Sequence, residues 1–298
     1  MKSPSLPAPT ALLLFSIVVL AWGLSWPVTK LLVRDIPPLW AATLRSLVAA
    51  VALLGLQWGQ GNLIVPRRGD IAVIAGIALP HMVAFSTLTA LGLQFVPAGR
   101  AIVLGYTTPL WVIPMARLFL GEPITGQHVI GGSIAFAGLL LMFNSASFDW
   151  HDGRALLGNG LLLLASACWA VSIVYVRAHT WVSTPFQLVF WEVLVATAVS
   201  SVLALAVHGL PRVDWTPSLV LLLLYGGVCG TALAYWAMAM VNRSLPAATT
   251  SLGLLATPVV GTVTAAVVLG EPVTATLLAA MTLIVGGIAL GTTTRKTR

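Results

Sequence analysis

Two short stretches of the chain place tryptophan and serine one helical turn apart. In "AWGLSWPVTK", Trp22 is followed by Ser25 and Trp26; in "SACWAVSIVY", Trp169 is followed by Ser172. On a helix these spacings bring each set onto one face. Indole rings and hydroxyls together offer binding chemistry rather than bond-breaking chemistry. The rings supply area and cation–π attraction for an amino group, without a fixed charge that would trap a ligand. A third stretch, "IALPHMVAF", adds His81 with Phe85 one turn on. His81 has two readings, as a group that hydrogen-bonds a substrate carboxylate or exchanges a proton, and as a satisfied core histidine. The tryptophans carry the same pair of readings, cavity wall or helix packing.

Two further ionisable residues stand inside apolar runs, Arg45 and Glu192. Intramembrane charges are functional candidates because lipid exposes them at high cost. Both read first as structural charges, with proton coupling by Glu192 as the sharper alternative. No Walker motif, HExxH or paired metal-ligand pattern occurs. "GGSIA" at Gly131 to Ala135 lacks the closing glycine of a nucleophile elbow. No cofactor and no metal are expected, and an intramembrane enzyme is a remote alternative.

The elements that must carry these residues follow from composition. The chain is 58% hydrophobic and 8% charged, against about 25% charged for a soluble domain, and its mean hydropathy is +0.99. This is an integral membrane protein, with the lipid bilayer as its solvent. Its net charge of +7 comes from basic residues scattered singly, with no face for phosphates to follow, so nucleic acid is excluded as a partner. Cys168 and Cys229 lie in apolar runs and read as packing residues. The first apolar run lacks an A-x-A cleavage site and reads as a spanning helix.

A span needs about 20 apolar residues, and ten segments qualify: 11–33, 39–57, 71–93, 98–119, 125–144, 156–178, 186–207, 218–240, 247–268 and 273–291. The runs are continuous, without the alternation of barrel strands, so an all-α bundle is expected. With both termini cytoplasmic, Lys2, Arg67, Arg68, Arg117, Arg177, Arg243, Arg295, Lys296 and Arg298 lie inside and Lys30, Arg34, Arg100, Arg154 and Arg212 outside. That bias favours the assigned orientation. Trp40, Trp58, Trp150, Trp181 and Trp215 fall near span ends and read as interfacial anchors; Trp111, Trp191 and Trp236 lie deeper.

The tetrapeptide LGEP occurs twice, at Leu120 to Pro123 and at Leu269 to Pro272, 149 residues apart in a chain of 298. At the same offset Thr108-Pro109 matches Thr257-Pro258, Ala116 matches Ala265, Thr125 matches Thr274 and Gly138 matches Gly287. At an offset of 147, Trp22 matches Trp169, Ser25 matches Ser172, Lys30 matches Arg177, Pro38 matches Pro185 and Arg45 matches Glu192. The expected units are therefore 1–147 and 148–298, five helices each. An odd number of crossings inverts the second unit, an arrangement found in secondary transporters with a substrate site between the repeats. His81 corresponds to Gly230, so that site should be asymmetric. In the LGEP turn, Gly should end one helix and Glu and Pro should begin the next, with Glu as a capping charge. Pro109 and Pro258 interrupt the fourth and ninth helices, either as matched hinges for gating or as static kinks satisfied by neighbouring threonines. GxxxG spacings at Gly55/Gly59, Gly226/Gly230 and Gly287/Gly291 allow close helix approach.

The phrases "WGLSWPVTK", "ATPVVGTVTAAVVLGEPVT" and "YGGVCGTALAYWAMAMVNRSLPAATTSLGLL" resemble the EamA-type repeat of the drug/metabolite transporter superfamily over nearly the whole chain. The first repeat departs in having Pro114 and Arg117 where the second has Val263 and Ala266. The resemblance implies a bacterial inner-membrane exporter of amino acids or related metabolites, with a central cavity lined mainly by the first, third, fourth, sixth, eighth and ninth helices. The aromatic amino acid exporter branch is the first comparison within it. Alternating access by ten helices is the expected mechanism, facilitative or weakly proton-coupled. Other cargoes in the same class are nucleosides, sugar derivatives and drugs; a non-transporting membrane subunit or receptor is the remaining alternative.

Overall fold

The computed structural model describes residues 6–143, 150–245, 250 and 253–292, all helix and connecting turn with no strand among them. We number the helices α1 Ala8–Asp35, α2 Pro38–Gly59, α3 Arg68–Gly92, α4 Ala98–Leu120, α5 Gly126–Met142, α6 Gly153–Ala178 and α7 Pro185–His208. Then follow α8, made of the consecutive stretches Pro217–Leu224, Tyr225–Leu233 and Ala234–Ser244, α9 Ala256–Leu269 and α10 Ala275–Thr292. Seven of these (α1–α4 and α6–α8) are long and apolar enough to cross a bilayer. The other three are shorter. α9 has 14 residues, a rise of about 21 Å, and the expected span 247–268 runs back into positions outside the described residues.

Sequence punctuation sets the ends. Proline opens α2, α7 and the first stretch of α8, where its missing N–H costs nothing. Thr184 and Gln187 cap each other at the start of α7, and the Asp152 carboxylate accepts from the N–H groups of Arg154 and Ala155 at the start of α6. Both LGEP glycines end their helices in the left-handed region, Gly121 at φ 69° and Gly270 at φ 67°, and their N–H groups donate to the matched carbonyls of Ala116 and Ala265. This is the glycine cap expected of the turn.

The two glutamates do something else. Thr125 caps α5 itself, accepting from the N–H of His128, and the Thr274 hydroxyl accepts from the N–H of Leu277. Glu271 reaches across to α4, its carboxylate accepting from Ala98 N at 2.7 Å and Gly99 N at 2.9 Å. Glu122 instead pairs with Arg177 at 2.6 Å, both partly exposed. The expectation that each glutamate caps the helix after it is thus corrected: the adjacent threonines already hold those N-termini, leaving the carboxylates for other helices.

α5 packs along α10, α2 along α7, α1 along α9 and the second half of α4 along α6, while α8 contacts α1 and α2, and α3 contacts α6 and α7. Small residues permit the closest contact. A Cβ on Gly131 would strike the backbone of Gly287 and Gly291, and one on Gly138 would lie 2.8 Å from the Ala280 carbonyl. Of the three GxxxG pairs, Gly287/Gly291 therefore packs helix on helix, Gly226/Gly230 faces side chains of α1 and α2, and Gly55/Gly59 meets nothing within 4 Å. Cys168 and Cys229 are free thiols. Trp58, Trp150 and Trp215 are exposed near helix ends, but Trp40 is buried, with its indole N–H donating to the Gly209 carbonyl at 3.0 Å. It is a packing residue rather than an interfacial anchor.

Candidate functional site

Two helices lose regular α geometry midway, and at matching places. α3 is π-helical over Ala78–Phe85 and α8 over Tyr225–Leu233. Pro80 removes an N–H in the first, and the second is built on Gly226, Gly227 and Gly230, so neither sequence favours a plain α ladder. The Thr231 hydroxyl donates to the Gly226 carbonyl five residues back, at 2.9 Å. Such wide turns recur at functional sites. Here they turn His81 and Thr231 toward one shared space.

That space is a cavity of about 120 Å³ walled by α1, α2, α3, α4, α6 and α8. Trp22, Ser25, Trp26 and Thr29 come from α1 and Arg45 from α2. His81, Phe85, Ser86 and Thr89 come from α3, Tyr106 from α4, Trp169 from α6, and Gly230, Thr231 and Tyr235 from α8. Of the residues singled out by sequence, Trp22, Ser25, Trp26, His81, Phe85 and Trp169 meet here, together with Arg45. Ser172 is buried one turn beyond Trp169 and forms no part of the wall. Among the described residues none of the ninth helix lines this wall, whereas Arg45 of the second does.

The rings form a continuous set of contacts. The His81 imidazole stacks on the Trp169 indole with centroids 5.4 Å apart and planes 7° from parallel. Phe85 lies 5.2 Å from Trp169 and 5.7 Å from His81, while Tyr106 meets Trp169 edge-on at 6.0 Å. Across the cavity Tyr235 meets His81 and Trp22 edge-on, at 6.4 and 6.2 Å. Gly105 gives Trp26 its place, since a Cβ there would collide with the far edge of the indole. Trp111 and Trp191 take other partners, donating to the Ser166 hydroxyl at 2.9 Å and the Ile64 carbonyl at 2.7 Å, and Trp236 packs in the cluster around Phe190.

Arg45 and Glu192 do not form an ion pair. Arg45 donates to the Thr29 and Ser86 hydroxyls, each at 3.3 Å. Glu192 is 4% exposed and makes no hydrogen bond or ion pair among the described residues. Near the matched prolines the backbone differs. α4 breaks at Tyr106 and Thr107, and its second stretch Thr108–Leu120 carries Pro109 near its start. The carbonyls that a regular helix would have paired are taken by threonine hydroxyls, Thr107 to Leu104 at 2.6 Å and Thr108 to Gly105 at 2.8 Å. Pro258 is buried near the start of α9, without an equivalent threonine bond among the described residues.

Sequence reading missed Thr29, Ser86, Thr89, Tyr106, Thr231 and Tyr235. Thr29 was available as the residue one turn beyond Ser25. Tyr106 and Tyr235 were hidden because their repeat counterparts, Leu255 and Ser86, are of different types.

A helical membrane bundle with an aromatic cavity between its helices fits the class of small-solute transporters. The EamA-like transporter family matches residues 9–144 and again residues 156–293, and the chain belongs to that family. It is 25% identical over 277 residues to the uncharacterized transporter YoaV of Bacillus subtilis (strain 168), covering 93% of this chain and 94% of that one. It is 26% identical over 285 residues to a probable amino-acid metabolite efflux pump of Escherichia coli (strain K12), covering 91% of each. One solved crystal structure, 20% identical, superposes with a TM-score of 0.65 over 96% of this chain and 98% of its own, which establishes a shared fold.

Proposed function

We propose that the chain is a secondary transporter that exports amino acids or related small metabolites across the bacterial inner membrane by alternating access. The carrying observation is the cavity itself. Residues that correspond in the two halves, Trp22 with Trp169, His81 with Gly230 and Ser86 with Tyr235, converge on one small space. The ten-helix inverted-repeat reading is supported by the packing as well. Exchanging α1 for α6, α2 for α7, α3 for α8, α4 for α9 and α5 for α10 turns the α1–α9 contact into α6–α4, and α2–α8 into α7–α3, both of which occur. The repeats are 1–147 and 148–298, with both termini cytoplasmic. Trp22, Ser25, Trp26, His81, Phe85 and Trp169 hold the solute.

Pro109 and Pro258 act as the hinges of the fourth and ninth helices. The threonine bonds beside Pro109 keep its broken ladder satisfied while it bends. His81 in the wall and Glu192 behind it are the groups available for proton coupling. Export of amino acids draws on the printed name of the Escherichia coli relative.

The test is uptake of a panel of labelled amino acids into proteoliposomes, with and without a pH gradient. Saturable, selective uptake is expected, with a rate that changes modestly when the gradient is imposed. Monodisperse protein that moves no amino acid and no other small metabolite overturns the proposal.

A further inference from the structure

We infer that the cavity selects its solute by a carboxylate seated on Arg45, that an amino group is dispensable, and that the preferred solutes are small monocarboxylates. This rests on the cavity being the transport site and names what that site recognises. Arg45 brings a positive charge about two turns into α2. A guanidinium offers five N–H donors in a planar fork. Among the described residues two are used, both on neutral hydroxyls at 3.3 Å. Charge-assisted bonds are shorter, about 2.7–2.9 Å. Among the described residues no Asp or Glu lines the cavity. Arg45 forms no ion pair with Glu192, although Tyr235 is an electrostatic neighbour of both.

An unneutralised charge at this depth is costly, and arginine ordinarily relieves that cost by extending toward the interface. Packing against α8 holds it back. A Cβ on Gly226 would lie 2.9 Å from Arg45 Cδ and 3.1 Å from Cγ, and the Arg45 backbone carbonyl lies close against Gly227. The stem is thus clamped, and the fork is presented to the cavity between Thr29 and Ser86. A carboxylate is the planar, two-oxygen acceptor that completes such a fork.

The other walls complete the selection. They offer rings and hydroxyls but no anion for an ammonium group, so a lone amine meets only the like charge of Arg45. An amino acid is accepted through its carboxylate, with its ammonium against the ring of Trp22. The space, about 120 Å³, is small, and a small solute fits it beside the guanidinium.

The test uses full-length protein in proteoliposomes and uptake of labelled alanine. Competition by pyruvate and propionate should fall within about threefold of competition by unlabelled alanine. Ethylamine and alaninamide should compete at least tenfold more weakly. Arg45→Gln should lower alanine uptake tenfold or more and bring the acid-to-amide ratio toward one, whereas Arg45→Lys and Glu192→Gln keep the ratio above tenfold. Size exclusion shows whether each variant folds. If Arg45→Gln does not fold, Gly226→Ala, which crowds the clamped stem, should reduce the ratio at least threefold. The inference is overturned if alaninamide competes as well as alanine in the wild type, or if folded Arg45→Gln, or Gly226→Ala in its place, keeps the wild-type ratio. Uptake of larger or neutral solutes, with no carboxylate preference, overturns it while leaving the transport site standing. No uptake of any solute by monodisperse protein sinks the transport-site reading and this inference with it.

Discussion

At the scale of single residues, the cavity depends on rings holding one another. Trp169 touches His81, Phe85 and Tyr106 at once, and aromatic pairs contribute about 0.5–1.5 kcal/mol each beyond area burial. Trp169→Ala should therefore raise the KM for transport roughly tenfold, because the loss of one or two such contacts loosens the wall that the solute meets. Trp58→Ala makes the contrast, since that ring is 74% exposed at the end of α2. It should leave KM unchanged within about twofold. Equal effects from the two substitutions in a proteoliposome KM measurement would rule out a special role for the Trp169 stack. The members of this wall were unevenly legible. Tryptophan is conspicuous in an apolar run and appears at matching places in both halves. Arg45 was conspicuous too, but its environment was not, because Thr29, Ser86 and the Gly226 clamp lie on three other helices.

At the scale of elements, the two LGEP turns share a backbone and differ in what their carboxylates hold. Glu271 accepts two backbone N–H bonds at the start of α4. Nearby, Lys30 donates to the carbonyls of Leu93 and Val96, the latter at 2.9 Å, fastening the turn between α3 and α4. Hydrogen bonds to a charged group contribute about 1.5–3 kcal/mol. The Glu122–Arg177 pair is 38% and 46% exposed, and such pairs contribute about 0–1 kcal/mol. Glu271→Gln should therefore lower the thermal midpoint in detergent clearly more than Glu122→Gln does. Equal shifts would mean that the α4 contact adds nothing. Gly121→Ala and Gly270→Ala should each destabilise by about 1 kcal/mol, because both glycines hold positive φ. The glycine cap was readable from LGEP alone, since it is a local device. The reach of Glu271 to a residue 173 positions away is not local. Nor were the π stretches legible: Pro80 and three glycines signal a disturbed helix without saying whether it kinks, breaks or widens.

At the scale of the whole molecule, the remaining question is how many helices cross the bilayer, and parity decides it. The apolar segments were easy to read because lipid demands about 20 apolar residues in a row, a signal that needs no tertiary context. Their status as spans is less direct for α5, with 17 residues, and for α9, with 14. Val65 lies between α2 and α3 and Leu210 between α7 and α8, and they are 83% and 82% exposed. Between them run α3, α4, α5, α6 and α7. If all five cross, the two positions face opposite sides; if the shorter α5 merely dips into the membrane, four crossings return the chain to the same side. With Cys168 and Cys229 replaced by serine, Leu210→Cys should react with a membrane-impermeant maleimide in intact cells. Val65→Cys should react only after permeabilisation, which places the α2–α3 turn with Arg67 and Arg68 in the cytoplasm as the charge bias requires. Labelling of both from outside, or of neither, would reduce the first repeat to an even number of crossings. An even count returns the second repeat in the same orientation as the first, so the matched residues at the cavity would no longer be related by an axis in the membrane plane. The parity of this one interval therefore tests the inversion on which alternating access between the halves depends.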